Sequence, residues 1–236
     1  GKTYWLVGAS EGLGRALAIK LSEAGAHLIL SARNAGRLDQ LCAELPNATA
    51  LPLDVTDLNA VHCAFGRVGK IDGLIYNAGA YDPMPATDWD TDAALKMVDV
   101  NFTGAVRVLG HVVPHFVTQG HGDITLVGSL AGYRGLPNAI GYGASKAALI
   151  SLAETMRFDL KKTGVVVRVV NPGFIKTRLT EKNEFKMPML MAPDRAAEHV
   201  VKAMKRNRFR TDFPRPFSWG LRLLDVLPDF IVYRGT

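Results

Sequence analysis

Short apolar runs alternate with longer amphipathic ones along most of the chain. YWLVGA (4–9), HLILSAR (27–33), ATALPLDV (48–55), GLIYNAG (73–79), DITLVGS (123–129) and VVVRVVNPG (165–173) are short, apolar and rich in β-branched residues, and predict six strands. Residues 12–24, 35–45, 58–68, about 90–118 and 141–162 carry apolar positions at helical spacing, and a further helix is predicted near 193–206. Apolar strands separated by helices call for a parallel sheet covered on both faces. The expected fold class is α/β, a doubly wound parallel sheet, with 1–236 forming one domain without repeats or an interdomain linker.

Composition changes this picture little. A chain of 236 residues buries a core without staples. Cys42 and Cys63 each lie in a helical pattern, lack metal-site spacing, and are expected to be reduced and buried. The histidines, among them His111, His115 and His121, form no ligand pattern, and no metal is implied. No apolar run is long enough to span a membrane, and GKTYWLVGAS enters a strand without the apolar segment of a secretory signal, so a cytoplasmic protein is expected. The net charge is +6, and from Arg195 onward nine Lys/Arg face four acids, leaving +5 in that stretch. Such a stretch can meet nucleic acid, anionic lipid or a phosphorylated substrate, or be a solvated helix face. The interleaved aromatics and motif of a nucleic-acid binder are missing, so no nucleic-acid partner is expected.

VGASEGLG (7–14) places Gly8, Gly12 and Gly14 between a strand and a helix. Glycine there lets the backbone approach a pyrophosphate at a helix N-terminus. The turn therefore predicts a Rossmann-type dinucleotide site, with Ser10, Glu11 and Leu13 inside it. Where an NAD enzyme carries an acid for the ribose 2′-hydroxyl, the second strand ends Ala32–Arg33. Without a carboxylate to repel a 2′-phosphate, and with a guanidinium to bind it, NADP(H) is favoured over NAD(H). Glu11 argues the other way.

The glycine turn and YGASK (142–146), with their separation, resemble the short-chain dehydrogenase/reductase family in its compact single-domain form. The likeness covers roughly residues 2–180. It extends to LDV (53–55), where Asp54 and Val55 would meet the adenine. YNAG (76–79) resembles the family's NNAG, with Tyr76 in place of the first asparagine and Asn77, Ala78 and Gly79 on the cofactor. VNFTG (100–104) carries Asn101, and GSLAG (128–132) carries Ser129. NPGFIKT (171–177) would close on the nicotinamide through Pro172, Gly173, Ile175 and Thr177.

A lone tyrosine titrates near 10. Lys146, one helical turn beyond Tyr142, would favour the phenolate together with an oxidised nicotinamide. The resemblance implies Tyr142 as acid/base between ketone and secondary alcohol, Lys146 also on the nicotinamide ribose, and Ser129 polarising the carbonyl. It implies Asn101 as holder of a relay water. It also implies a homodimer or homotetramer through the two long helical regions, although their apolar residues serve a monomer core equally well.

Residues 178–192 are read as a substrate lid, and Met187, Pro188, Met189, Leu190 and Met191 suggest a lipophilic substrate, with plain core packing as the alternative. The stretch 207–236 is read as a basic, apolar C-terminal tail. Phe217, Leu221, Leu224 and Val226–Leu227 stand at helical spacing up to Pro228. The tail can lie on a membrane surface, swing over the pocket or dock on a neighbouring subunit. The expected function is an NADP(H)-dependent oxidoreductase on a carbonyl or alcohol. The alternatives are a cofactor-sensing protein without turnover or a 3-oxoacyl-carrier-protein reductase.

Overall fold

A computed structural model describes residues 1–183, 185–206 and 208–232, so Glu184 in the lid and Asn207 and 233–236 in the tail lie outside the described residues. Seven strands form one sheet: β1 (Thr3–Val7), β2 (His27–Ser31), β3 (Ala48–Ala50), β4 (Gly73–Tyr76), β5 (Gly122–Val127), β6 (Val165–Pro172) and β7 (Arg210–Phe213). Their order is β3-β2-β1-β4-β5-β6-β7, and every pairing is parallel. The order reverses direction at β1, and the cleft that opens there, beyond the carboxyl ends of β1 and β4, is where such sheets bind ligands.

Two cores sandwich the sheet. On one face α3 (Leu58–Val68), α5 (Gly104–Gln119) and α6 (Ile140–Asp159) bury Val61, Phe116 and Leu149 among others. On the other, α1 (Gly12–Glu23), α2 (Ala35–Glu44) and α7 (Pro193–Met204) bury Leu17, Leu38 and Val200. The doubly wound, Rossmann-type α/β fold is as expected.

Four details differ from expectation. The long helical region at 90–118 is two helices, α4 (Thr91–Val98) and α5, joined by a π-helical turn at Asp99–Thr103. The third strand stops at Ala50 rather than Val55. A seventh strand, RTDF, joins the sheet edge, and only its Phe213 is buried, so no apolar run marks it. Cys63 is exposed and Cys42 half-buried, against the expectation of two buried thiols. Beyond β7 the tail folds into α8 (Phe217–Val226) and a short α9 (Asp229–Val232). Among the described residues no helix is long and apolar enough to cross a membrane, and no cluster of three or more His, Cys, Asp or Glu could hold a metal.

Candidate active site

The glycine turn is shaped by three close approaches. Gly8 sits at φ +90, and a Cβ there would come within 2.5 Å of the Ala78 nitrogen. Gly12, at φ +54, leaves room for Thr177. A Cβ on Gly14 would fall on the Gly8 carbonyl oxygen and within 2.8 Å of Asn77 Nδ2, which donates to that same carbonyl at 2.7 Å. Asn34, Asp57 and Asp90 cap α2, α3 and α4 with their side chains, but Glu11 makes no side-chain cap on α1. The first N–H groups of α1 thus face the cleft unclaimed by a cap, the arrangement that receives phosphate.

Glu11 is occupied instead by two arginines: Arg37 at 2.6 Å and Arg178 at 2.8 Å. Its charge is therefore offset where the sequence left it opposing a 2′-phosphate. Arg33 is exposed on the cleft wall beside Ala32, Asn34 and Arg37, and makes no ion pair among the described residues. Asp54 also lines the cleft, its Oδ1 accepting from the Thr56 nitrogen at 3.0 Å and hydroxyl at 2.8 Å.

Tyr142 and Lys146 share one face of α6, and Ser129 follows β5. Ser129 Oγ accepts from the Ala131 nitrogen at 3.1 Å, which fixes the hydroxyl at the start of a short turn. Burial pushes the Tyr142 phenol above its ordinary value, and a hydrogen bond with Ser129 pulls it part of the way back. Lys146 is nearly fully buried, and burial lowers its ammonium to about 8. Its Nζ donates to the Val127 carbonyl at 2.8 Å and lies 5.8 Å from the Tyr142 ring centroid. Desolvation of both charged forms dominates, raising one group and lowering the other.

Asn101 is fully buried in the π-helical turn. Its Nδ2 donates to the Ala80 carbonyl and to Ser145 Oγ, both at 3.0 Å, and its Oδ1 accepts from the Ala80 nitrogen at 2.6 Å. It clamps the loop after β4 to α6, and none of these bonds goes to Lys146. Tyr76, the residue that departs from the family pattern, donates its hydroxyl to the Val100 carbonyl in the same π-helical turn at 2.6 Å. Gly104 gives that ring its space, because a Cβ there would stand 2.7 Å from the Tyr76 hydroxyl.

One cleft of about 1240 Å³ joins these parts. Gly8, Ser10, Glu11, Gly12, Leu13, Arg33, Asp54, Val55, Asn77, Ala78 and Gly79 line it. Ser129, Tyr142, Lys146, Pro172, Gly173, Ile175 and Thr177 line it as well. Gly14 and Asn101 lie behind the wall and support it. Sequence reasoning missed several lining residues. Tyr81 sets its ring edge-on to Tyr142 at 4.9 Å and donates its hydroxyl to Asn183 at 2.7 Å. Phe174 contacts Phe185, in the 178–192 segment, at 5.6 Å and Phe217 of α8 at 5.9 Å. Phe217 and Leu221 of α8 also line the cleft.

Fold and site together define an oxidoreductase of the doubly wound class. A family model described as short chain dehydrogenase matches residues 2–187, and the chain belongs to that family. It is 35% identical over 236 residues to an uncharacterized oxidoreductase of Myxococcus xanthus (strain DK1622), covering 97% of this chain and 93% of that one. Among solved structures, a short chain dehydrogenase from Burkholderia cenocepacia J2315 in complex with NADP superposes with a TM-score of 0.86 at 25% identity, over 99% of this chain and 94% of the other. A short-chain dehydrogenase from Sphingobium yanoikuyae in complex with NADPH gives 0.86 at 28% identity, over 95% and 92%.

Proposed function

We propose that this chain is an NADP(H)-dependent oxidoreductase that interconverts a ketone and a secondary alcohol, with Tyr142 as acid/base and a lipophilic substrate. One observation carries the reading. Ser129, Tyr142 and Lys146 line the same cleft as a glycine turn with an uncapped helix and as Arg33, which makes no ion pair among the described residues. The neighbours crystallised with NADP and NADPH support a nicotinamide dinucleotide. Arg33, with Glu11 already offset by Arg37 and Arg178, supports the phosphorylated form.

The residues present fit such a cofactor: the open N-terminus of α1 for the pyrophosphate, Arg33 for the 2′-phosphate and Asp54 beside the adenine. When bound, a nicotinamide supplies or accepts the hydride. The protein supplies the proton and the charge stabilisation. A phenol pushed up by burial stays protonated at neutral pH, so Tyr142 is set to donate to a developing alkoxide. Ser129 Oγ presents its proton to the same oxygen. The buried Lys146 ammonium, 5.8 Å from the Tyr142 ring centroid, would stabilise the phenolate that remains. The aromatic walls formed by Tyr81, Phe174, Phe185 and Phe217 favour an apolar body on the carbonyl compound.

The test is oxidation of NADPH and of NADH by the purified protein over a panel of ketones, with Tyr142→Phe alongside. NADPH-dependent turnover that falls about 10²- to 10⁴-fold in the variant, with cofactor binding kept, is the expected result. Tight NADPH binding with no turnover on any ketone would replace this reading with a cofactor sensor.

A further inference from the structure

Of the fourteen large hydrophobic side chains exposed among the described residues, eight lie in the two segments that frame the cleft mouth. Phe185, Met189 and Leu190 stand on the lid. Trp219, Leu223 and Val226 stand on α8, and Phe230 and Ile231 on α9. Positions 219, 223 and 226 form one helical stripe. Phe217, Leu221 and Leu224 form the opposite stripe, and Phe217 and Leu221 of it line the cleft. A helix apolar on two opposed faces has one face for the interior and one that awaits a partner. Phe174 touches both Phe185 and Phe217, so the lid and α8 lie side by side at the cleft mouth.

Cations are set among these side chains. Lys186 and Arg215 are exposed on the same two segments and Lys176 just before the lid, and the Arg215 guanidinium lies 5.3 Å from the Trp219 ring centroid, whereas Arg222 is paired with Asp212 at 3.4 Å. Of the exposed acids there, Asp229 is engaged by Arg134 and Glu181 stands in the lid. The basic run before β7 takes no part. Lys205, Arg206 and Arg208 precede the strand, at the amino end of a parallel sheet, whereas the tail follows it at the carboxyl end beside the cleft. The charge and the apolar tail, adjacent in sequence, are therefore separated in space. What remains at the mouth is a small apolar surface carrying tryptophan and arginine, the composition of a bilayer interface.

We propose that this lid–tail surface docks on an anionic phospholipid bilayer. Trp219, Leu223, Val226 and Phe230 enter the headgroup boundary while Lys176, Lys186 and Arg215 meet lipid phosphates. The docking stands on the surface alone, and its use rests on the proposed lipophilic substrate. A carbonyl compound dissolved in the bilayer would enter between lid and α8 without crossing water.

The experiment is cosedimentation of the full chain with phosphatidylcholine vesicles, with and without phosphatidylglycerol, at low and high salt. Binding to the anionic vesicles is expected, weaker on pure phosphatidylcholine and at high salt. Trp219→Glu with Phe230→Glu should lose it, with NADPH binding and solution mass unchanged. Lys186→Ala with Arg215→Ala should weaken it by about fivefold per cation removed. Should the first variant fail to fold, the unaltered chain still decides: vesicles should shift its tryptophan emission to the blue, since Trp219 is exposed. Failure of the unaltered chain to bind either vesicle overturns the proposal. So does a first variant that dissociates an oligomer, which would make the surface a contact with a second copy. Turnover of a water-soluble ketone separates this outcome from failure of the proposed activity, since it does not require the bilayer.

Discussion

In the part of the cleft proposed to hold the cofactor, the cofactor half, the backbone does the shaping. Gly8 and Gly12 take left-handed φ angles, Gly14 abuts the Gly8 carbonyl, and Asn77 fastens the two strands' ends together. In the part proposed to hold the substrate, the substrate half, the shaping is done by side chains from distant segments. Tyr81 reaches Asn183, Lys182 reaches back to the Tyr81 carbonyl at 2.9 Å and to Asp82, and Phe217 meets Phe174. Backbone contacts at van der Waals distance have no slack, whereas side chains have rotamers and can repack. Substitutions in the first half should therefore act as all-or-none changes, and those in the second should be graded.

Gly14→Val breaks the first half most directly, because the new Cβ has only the Gly8 carbonyl and Asn77 amide to displace. Overpacking against backbone should cost about 3 kcal/mol of stability and abolish cofactor binding. Urea unfolding and NADPH fluorescence titration read the two effects. A variant that binds cofactor normally would show that the turn has slack after all.

Lys146 lies between the halves and offers a pH test. Unfolded, its ammonium holds a proton to its ordinary 10.5; folded, burial lowers this to about 8. Between these values the unfolded chain binds more protons, so this group makes stability rise with pH. Below pH 8 the buried charge costs on the order of 3 kcal/mol, and the cost is gone above 10.5. Lys146→Met should flatten that rise in the cofactor-free protein. Equal slopes of melting temperature against pH in both proteins would show that Lys146 does not titrate in that window.

Arg33→Ser sharpens the comparison within the cofactor half, since it alters a side chain and leaves the glycine backbone alone. Loss of a charge-assisted bond to a 2′-phosphate should weaken NADPH about tenfold to a hundredfold. NADH should change by less than about twofold, since its 2′-hydroxyl offers no such charge. Equal losses for both cofactors would assign Arg33 a structural role.

The same division decides what the sequence revealed. The cofactor half is local: Gly8 through Arg33 follow one strand, turn, helix and strand, and the motif and its spacing are the structure. Doubly wound packing was equally legible, because both core clusters follow from apolar periodicity. The π-helical turn at Asp99–Thr103 was not, since one extra residue between two amphipathic helices leaves each helix's own pattern intact. RTDF hid as an edge strand because only one of its residues is buried. The partners of Tyr81 were out of reach because they lie about a hundred positions away. The tail showed its helix but not that its inner stripe lines the cleft.

The mildest prediction tests how graded the substrate half is. Phe217 is half-buried between Phe174 and the cleft, and Leu221 lies one helical turn on. Phe217→Ala removes a ring from a wall that is already open on one side, so the lid and Phe174 can close part of the gap. Cofactor affinity and thermal stability should change little. KM for a bulky apolar ketone should rise about fivefold, while a small ketone that never reaches α8 keeps its KM and kcat. Leu221→Ala should repeat the pattern more weakly, since it removes less apolar surface. A common loss of kcat for large and small ketones alike would mean that α8 positions Tyr142 or Ser129 through Phe174. The substrate half would then be as rigid as the cofactor half.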